Sequence, residues 1–132
     1  MNWTALLAQI GIVLGVGAVA ILGGVRAVEA TFRLIDRPRG ATSDPGLVAA
    51  ASTLRGGAWI GALERTSVYA SLLAGFPAGI AVVVALKGLA RYPELKASSA
   101  GAAERFIIGT FLSLLLACGA AGLAWWLLGL IA

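Results

Sequence analysis

The chain has 132 residues, of which 60% are hydrophobic and only 12% charged, and its mean hydropathy is +0.95. A soluble domain carries about 25% charged residues. A soluble core of this length could not bury so much apolar surface. The net charge is +4, but the basic residues stand between apolar runs and form no stripe. That pattern belongs to membrane topology and excludes a nucleic-acid footprint.

The first apolar run, Leu6 to Val25, follows Trp3 and lacks a basic leader. It reads as a retained transmembrane helix over about residues 4–25, with Trp3 as its interfacial anchor. Val28, Phe32 and Ile35 keep a helical spacing beyond it, and Glu29 stands four residues before Arg33. The helix is therefore expected to run on to about residue 36. Arg37-Pro38 stops it, because a residue before proline is pushed out of the helical region.

Residues 37–46 read as a loop. A helix over 47–65 is expected next, starting near Asp44-Pro45 and weakened at Gly56-Gly57. With the extended end of the first helix it would form an extramembrane hairpin, a candidate protein-docking element over residues 26–60. The second crossing is placed at 66–90, kinked at Phe76-Pro77. A loop over 91–102 begins at Tyr92-Pro93. The third crossing covers 103–130, with Trp125 and Trp126 as the opposite aromatic belt. The expected fold is thus an all-α integral membrane protein with three transmembrane helices. The excess of arginine in the first loop favours a cytoplasmic position for it, with the N-terminus outside and the C-terminus inside.

The chain has no histidine, no cluster spaced for metal ligation, no phosphate loop and no serine beside a base. An enzyme is not expected, nor a metal or cofactor. Cys118 stands alone in an apolar run and reads as a small packing residue. The candidate functional groups are the charges that frame the apolar runs. Glu64 and Lys87 are separated by about 34 Å if the helix between them is straight. Their simplest role is to mark the two water boundaries of a hydrocarbon core about 30 Å thick.

A homo-oligomer would give those charges a second role. Glu64 and Arg65 would ring one mouth of an ion-conducting pore, and Lys87, Arg91, Glu104 and Arg105 the other. Ser67, Ser71, Thr110 and Ser113 are candidates for a polar lining. Gly61, Gly75, Gly79 and Gly109 are candidates for close helix packing. The alternatives are an accessory subunit of a larger membrane complex and a lipid-binding membrane organiser, the latter through Lys87, Arg91 and Arg105.

The stretches IGALER, ALKGLARYPEL and AERFIIGTFLS resemble the C-terminal membrane portion of an uncharacterised bacterial integral membrane family. The matching positions are Gly61, Glu64, Arg65, Lys87, Arg91, Glu104, Gly109, Thr110 and Ser113. The sequence differs from that pattern at Phe76-Pro77, where a polar residue follows the glycine, and at Gly88, where serine stands. The resemblance implies a multi-pass protein of the bacterial inner membrane, and no activity.

Overall fold

The computed structural model describes residues 2–35, 57–97 and 100–131. The described chain is all-helical: α1 over Trp3–Ile35, α2 over Gly57–Leu73, α3 over Gly79–Ala97 and α4 over Ala100–Ile131. Two stretches, Trp3–Ile35 and Ala103–Ile131, are long and apolar enough to cross a bilayer, with mean hydropathies of 2.4 and 2.2. The expected loop over 37–46 and the part of the expected 47–65 helix before residue 57 lie outside the described residues, and so does the tip of the extramembrane hairpin; residues 57–65 form the start of α2.

The single crossing expected over 66–90 is instead two helices. Leu73 ends α2, and the chain reverses through residues 74–78. Gly75 adopts a left-handed φ of +72°. Its N–H donates to the Leu72 carbonyl at 3.0 Å, and the Phe76 N–H donates to the Ser71 carbonyl at 2.8 Å. This paired bonding is the Schellman termination, which satisfies the last carbonyls of α2. Pro77 stands in the turn that leads into α3, where its missing N–H and fixed φ cost nothing. The Gly79 and Ile80 N–H groups close the first turn on the Phe76 and Pro77 carbonyls. A proline alone would kink a membrane helix. Glycine two residues before it, free to take positive φ, lets the chain turn back instead.

Gly75 is thus a turn residue, and packing is not its role. Gly79 does pack closely, since a Cβ there would lie 2.4 Å from Ser71 Oγ. Tyr92-Pro93 does not end a helix, because α3 continues through Pro93 to Ala97. Proline there removes one backbone bond near the helix end, and an Arg91–Glu94 ion pair bridges it.

The helices alternate in direction. α1 lies chiefly against α4, α2 packs on both, and α3 packs on α2. Gly17 faces Tyr69 and Gly24 faces Arg65, so α1 and α2 are antiparallel. Phe32 lies at Gly109 while Val13 and Leu14 lie near Trp125, so α1 and α4 are antiparallel too. The core is narrow and built of small groups: Val68, Ala117, Ala121 and Ala124 are buried, and Ala121 and Ala124 cluster with Tyr69. Val13, Val16, Leu72 and Leu73 close over it. Ala117, Ala121 and Ala124 fall on one face of α4, which lets helix backbones approach closely. Large apolar side chains such as Leu7, Leu14, Leu22, Leu89 and Leu115 point outward.

The α2–α3 hairpin is shorter than its neighbours. Its last α2 turn is level with Val13, so α1 extends about 15 Å beyond it. In that stretch α1 and α4 alone bound an apolar groove of about 530 Å³, lined by Leu6, Ile10, Leu14, Trp125 and Leu128 among others.

Candidate functional site

Reversal of the chain at Gly75 changes where every framing charge sits. The Glu64 and Lys87 side chains, expected about 34 Å apart on opposite membrane faces, form an ion pair at 2.5 Å. Both are nearly covered, with side-chain exposures of 13% and 17%. The Lys87 ammonium also lies 5.5 Å from the centre of the Phe106 ring on α4. Lys87 thereby joins α3 to α2 and touches α4.

Arg65, the next residue, points into the bundle and is 3% exposed. Its Nη2 donates to the Ile21 carbonyl at 3.0 Å, and its Nη1 donates to Ser113 Oγ at 3.4 Å. The side chain fits only because two neighbours are glycine. A Cβ on Gly24 would lie 2.5 Å from Nε, and one on Gly61 would lie 3.3 Å from Nη1. A helical carbonyl points toward the residues three and four positions on. Glycine at position 24 therefore uncovers the Ile21 oxygen.

The same device recurs one turn along α2. The Tyr69 hydroxyl donates to the Val13 carbonyl at 2.9 Å, four residues before Gly17. A Cβ on Gly17 would meet the Tyr69 ring at 3.0 Å. Gly17 and Gly24, spaced by two helical turns on one face of α1, thus form the groove that receives α2. The sequence reading missed Tyr69, Gly17 and Gly24. Gly11 and Gly15, four apart on the same helix, meet nothing within 4 Å. The usable signal was Tyr69, a hydroxyl within an apolar run that needs a buried acceptor.

The candidate lining hydroxyls do not share one surface. Ser113 is buried against Arg65. Thr110 bonds back to the Phe106 carbonyl at 2.8 Å. Ser71 lies at the hairpin tip beside Gly79, and Ser67 is exposed. Glu64, Arg65, Lys87, Thr110 and Ser113 do converge, around a small cavity of about 10 Å³ walled by Val68, Val83 and Leu114. Gly109 is in contact with Phe32, over whose ring the Arg105 guanidinium sits at 5.4 Å.

All charges on the described residues gather at one end of the bundle. They are Arg26, Arg33, Arg65, Lys87, Arg91, Lys96 and Arg105 against Glu29, Glu64, Glu94 and Glu104. The two Glu-Arg pairs, 64-65 and 104-105, were expected at opposite faces. They share this end because α2 and α4 run parallel. The six charges proposed for two pore mouths thus do not frame an axis from both sides. α1 begins and α4 ends at the other end, so the two described termini are together.

Among the described residues no group of His, Cys, Asp and Glu is placed to hold a metal ion. Comparison with protein-family models, curated proteins and solved structures gave no significant match.

Proposed function

We propose that this chain is a small integral membrane protein whose charged end engages anionic lipid headgroups, making it a membrane organiser. In this reading α1 and α4 cross the bilayer. The α2–α3 hairpin is re-entrant: it enters and leaves on the charged side and stops short of the far side. From Trp3 to Arg26, α1 is free of charge for about 34 Å, enough for a hydrocarbon core. The α2 arm of the hairpin packs on α1 and α4, and the turn returns hydrogen bonds to the last α2 carbonyls. The positive-inside rule puts the charged end in the cytoplasm and both termini outside. The bacterial inner membrane, and kinship with the family that the motifs resemble, belong to the same proposal. Gly61, Glu64, Arg65, Lys87, Thr110 and Ser113 carry that resemblance, and they surround the buried cluster.

The observation that carries the reading is the segregation of charge. Cations outnumber carboxylates seven to four on the described residues of one end. Lys87 and Arg91 are engaged with Glu64 and Glu94. The exposed Arg26, Arg33 and Lys96 are the cations best placed for headgroup phosphates, each worth roughly 1 kcal/mol near an anionic surface. A pore, by contrast, needs several copies, because the cavity among the converging charges of one chain is only about 10 Å³.

Native mass spectrometry from lipid-preserving detergent tests the proposal. Phosphatidylglycerol or cardiolipin should remain bound in preference to phosphatidylcholine, and the triple variant R26Q/R33Q/K96Q should lose that preference. Equal retention of neutral and anionic lipid would refute it. A closed ring of identical subunits lacking bound lipid would replace it with the pore reading.

A further inference from the structure

We propose that the groove between α1 and α4 at the uncharged end of the bundle seats the acyl chains of one phospholipid, with Gln9 holding an ester carbonyl at their head. The inference rests on the membrane placement of α1 and α4 proposed above, and not on headgroup binding at the exposed cations of the other end.

Three observations converge on this groove. The first is its position and charge. The hairpin ends at the level of Val13, so beyond it α1 and α4 alone among the described residues form the walls. Those walls include Leu6, Ile10, Leu14, Trp125 and Leu128. Every charge on the described residues lies at the opposite end. The complementary occupant is therefore uncharged and apolar where it meets the walls, and at this depth the bilayer supplies hydrocarbon.

The second is one polar group. Gln9 brings a half-buried side-chain amide into the wall. That amide has no hydrogen-bond partner among the described residues. An amide left unpaired in an apolar setting is costly, so a partner is called for. Gln9 stands six residues, or about 9 Å, along α1 from the interfacial Trp3. The polar zone of each leaflet is about 5–8 Å deep, so Gln9 falls at the top of the hydrocarbon. Ester carbonyls lie there, and they accept from an amide N–H.

The third is width. Leu6 and Leu14 are eight residues apart, so the groove is about 12 Å long. Its volume of about 530 Å³ then gives a mean cross-section of about 44 Å². A helix about 10 Å across needs about 80 Å², so neither a second copy's helix nor a partner's fits within the groove. A methylene takes about the space of a water, roughly 30 Å³, and on the order of eighteen such groups fill the volume.

The test uses the full chain in maltoside detergent, with Trp125 as the sole tryptophan after Trp3→Phe, Trp59→Phe and Trp126→Phe. Phosphatidylcholine brominated in its acyl chains is titrated in, and quenching of Trp125 is followed. Quenching that saturates near one lipid per chain is expected. A variant keeping only Trp126, which does not line the groove, should show no saturable component. Gly129→Phe should abolish the saturable component of Trp125 without loss of folding, because a side chain there meets no other group and fills the groove. Gln9→Leu should raise the midpoint about fivefold through loss of one hydrogen bond. The triple variant R26Q/R33Q/K96Q should leave the quenching curve unchanged, so the groove and the charged end fail or stand separately. Quenching of Trp125 that rises linearly with lipid would overturn the proposal. So would saturation unchanged in Gly129→Phe, or efficient disulfide pairing of Ile10→Cys chains in a Cys118→Ala background, which would put a second copy over the groove.

Discussion

α1 and α4 are built unlike the hairpin they hold. Each of the long helices presents an unbroken apolar stretch, and neither places a charge in the bundle's interior. The hairpin carries a buried arginine, a covered ion pair and a turn held by one glycine of positive φ. The long helices are placed by bulk hydrophobicity, whereas the hairpin is placed by a few polar contacts. Hydrophobicity decides that a segment is buried in lipid. It does not decide depth or direction, so a segment that turns back within the bundle needs directional bonds. Arg65 to Ile21, Tyr69 to Val13 and Lys87 to Glu64 supply them.

Breaking those contacts should cost far more than equal changes on the long helices' outer faces. The largest effect is expected from Gly24→Leu, whose Cβ would fall on the Arg65 guanidinium. Displacing a buried arginine from its acceptors should cost on the order of 3–5 kcal/mol, visible as loss of the monodisperse folded peak in detergent. Lys87→Met should cost about 3 kcal/mol by stranding Glu64, and adding Glu64→Gln should restore most of it. The double-mutant cycle in thermal melts measures that coupling. Gly75→Ala should cost roughly 1–2 kcal/mol, since alanine resists the positive φ of the turn. Tyr69→Phe should cost about 1 kcal/mol, because it removes one hydrogen bond and leaves the ring in place. Gly11→Ala and Gly15→Ala should shift stability by no more than about 0.5 kcal/mol, as neither position meets another group. A large loss at Gly11 would mean that α1 packs by bulk glycine content and not through the Gly17–Gly24 groove.

The same contrast explains what the sequence disclosed. Runs of twenty and more apolar residues make α1 and α4 legible, along with the all-helical class, because hydropathy is additive along the chain. The hairpin was not legible. Phe76-Pro77 in an apolar run reads as a kink, since prolines within membrane helices usually only bend them. The decision to reverse lay in Gly75 and in three long-range contacts that no local pattern announces. Once the turn was missed, Glu64 and Lys87 were assigned to opposite faces, and the pore mouths followed from that. Lys87, Thr110 and Ser113 were recognised as positions of interest, yet their convergence on Arg65 depends on α2 and α4 being parallel. That relation reverses if one crossing is drawn where there are two helices. Tyr69 and Gly17 were overlooked for a different reason. Glycines seven apart mark a helix face as well as glycines four apart, and the tyrosine hydroxyl was the clue that they were in use.

The central claim is the reversal, and distance measurement between two spin labels tests it most directly. Leu63 and Leu89 flank the Glu64–Lys87 pair and are 65% and 72% exposed, so labels there should leave the packing intact. With Cys118→Ala, the variants Leu63→Cys and Leu89→Cys would be labelled together and measured by double electron–electron resonance. Adjacent helices lie about 8–10 Å apart, so the hairpin predicts a distribution centred below about 25 Å with the label arms included. A single continuous crossing would place the two positions about 39 Å apart, and a peak near that distance would contradict the hairpin.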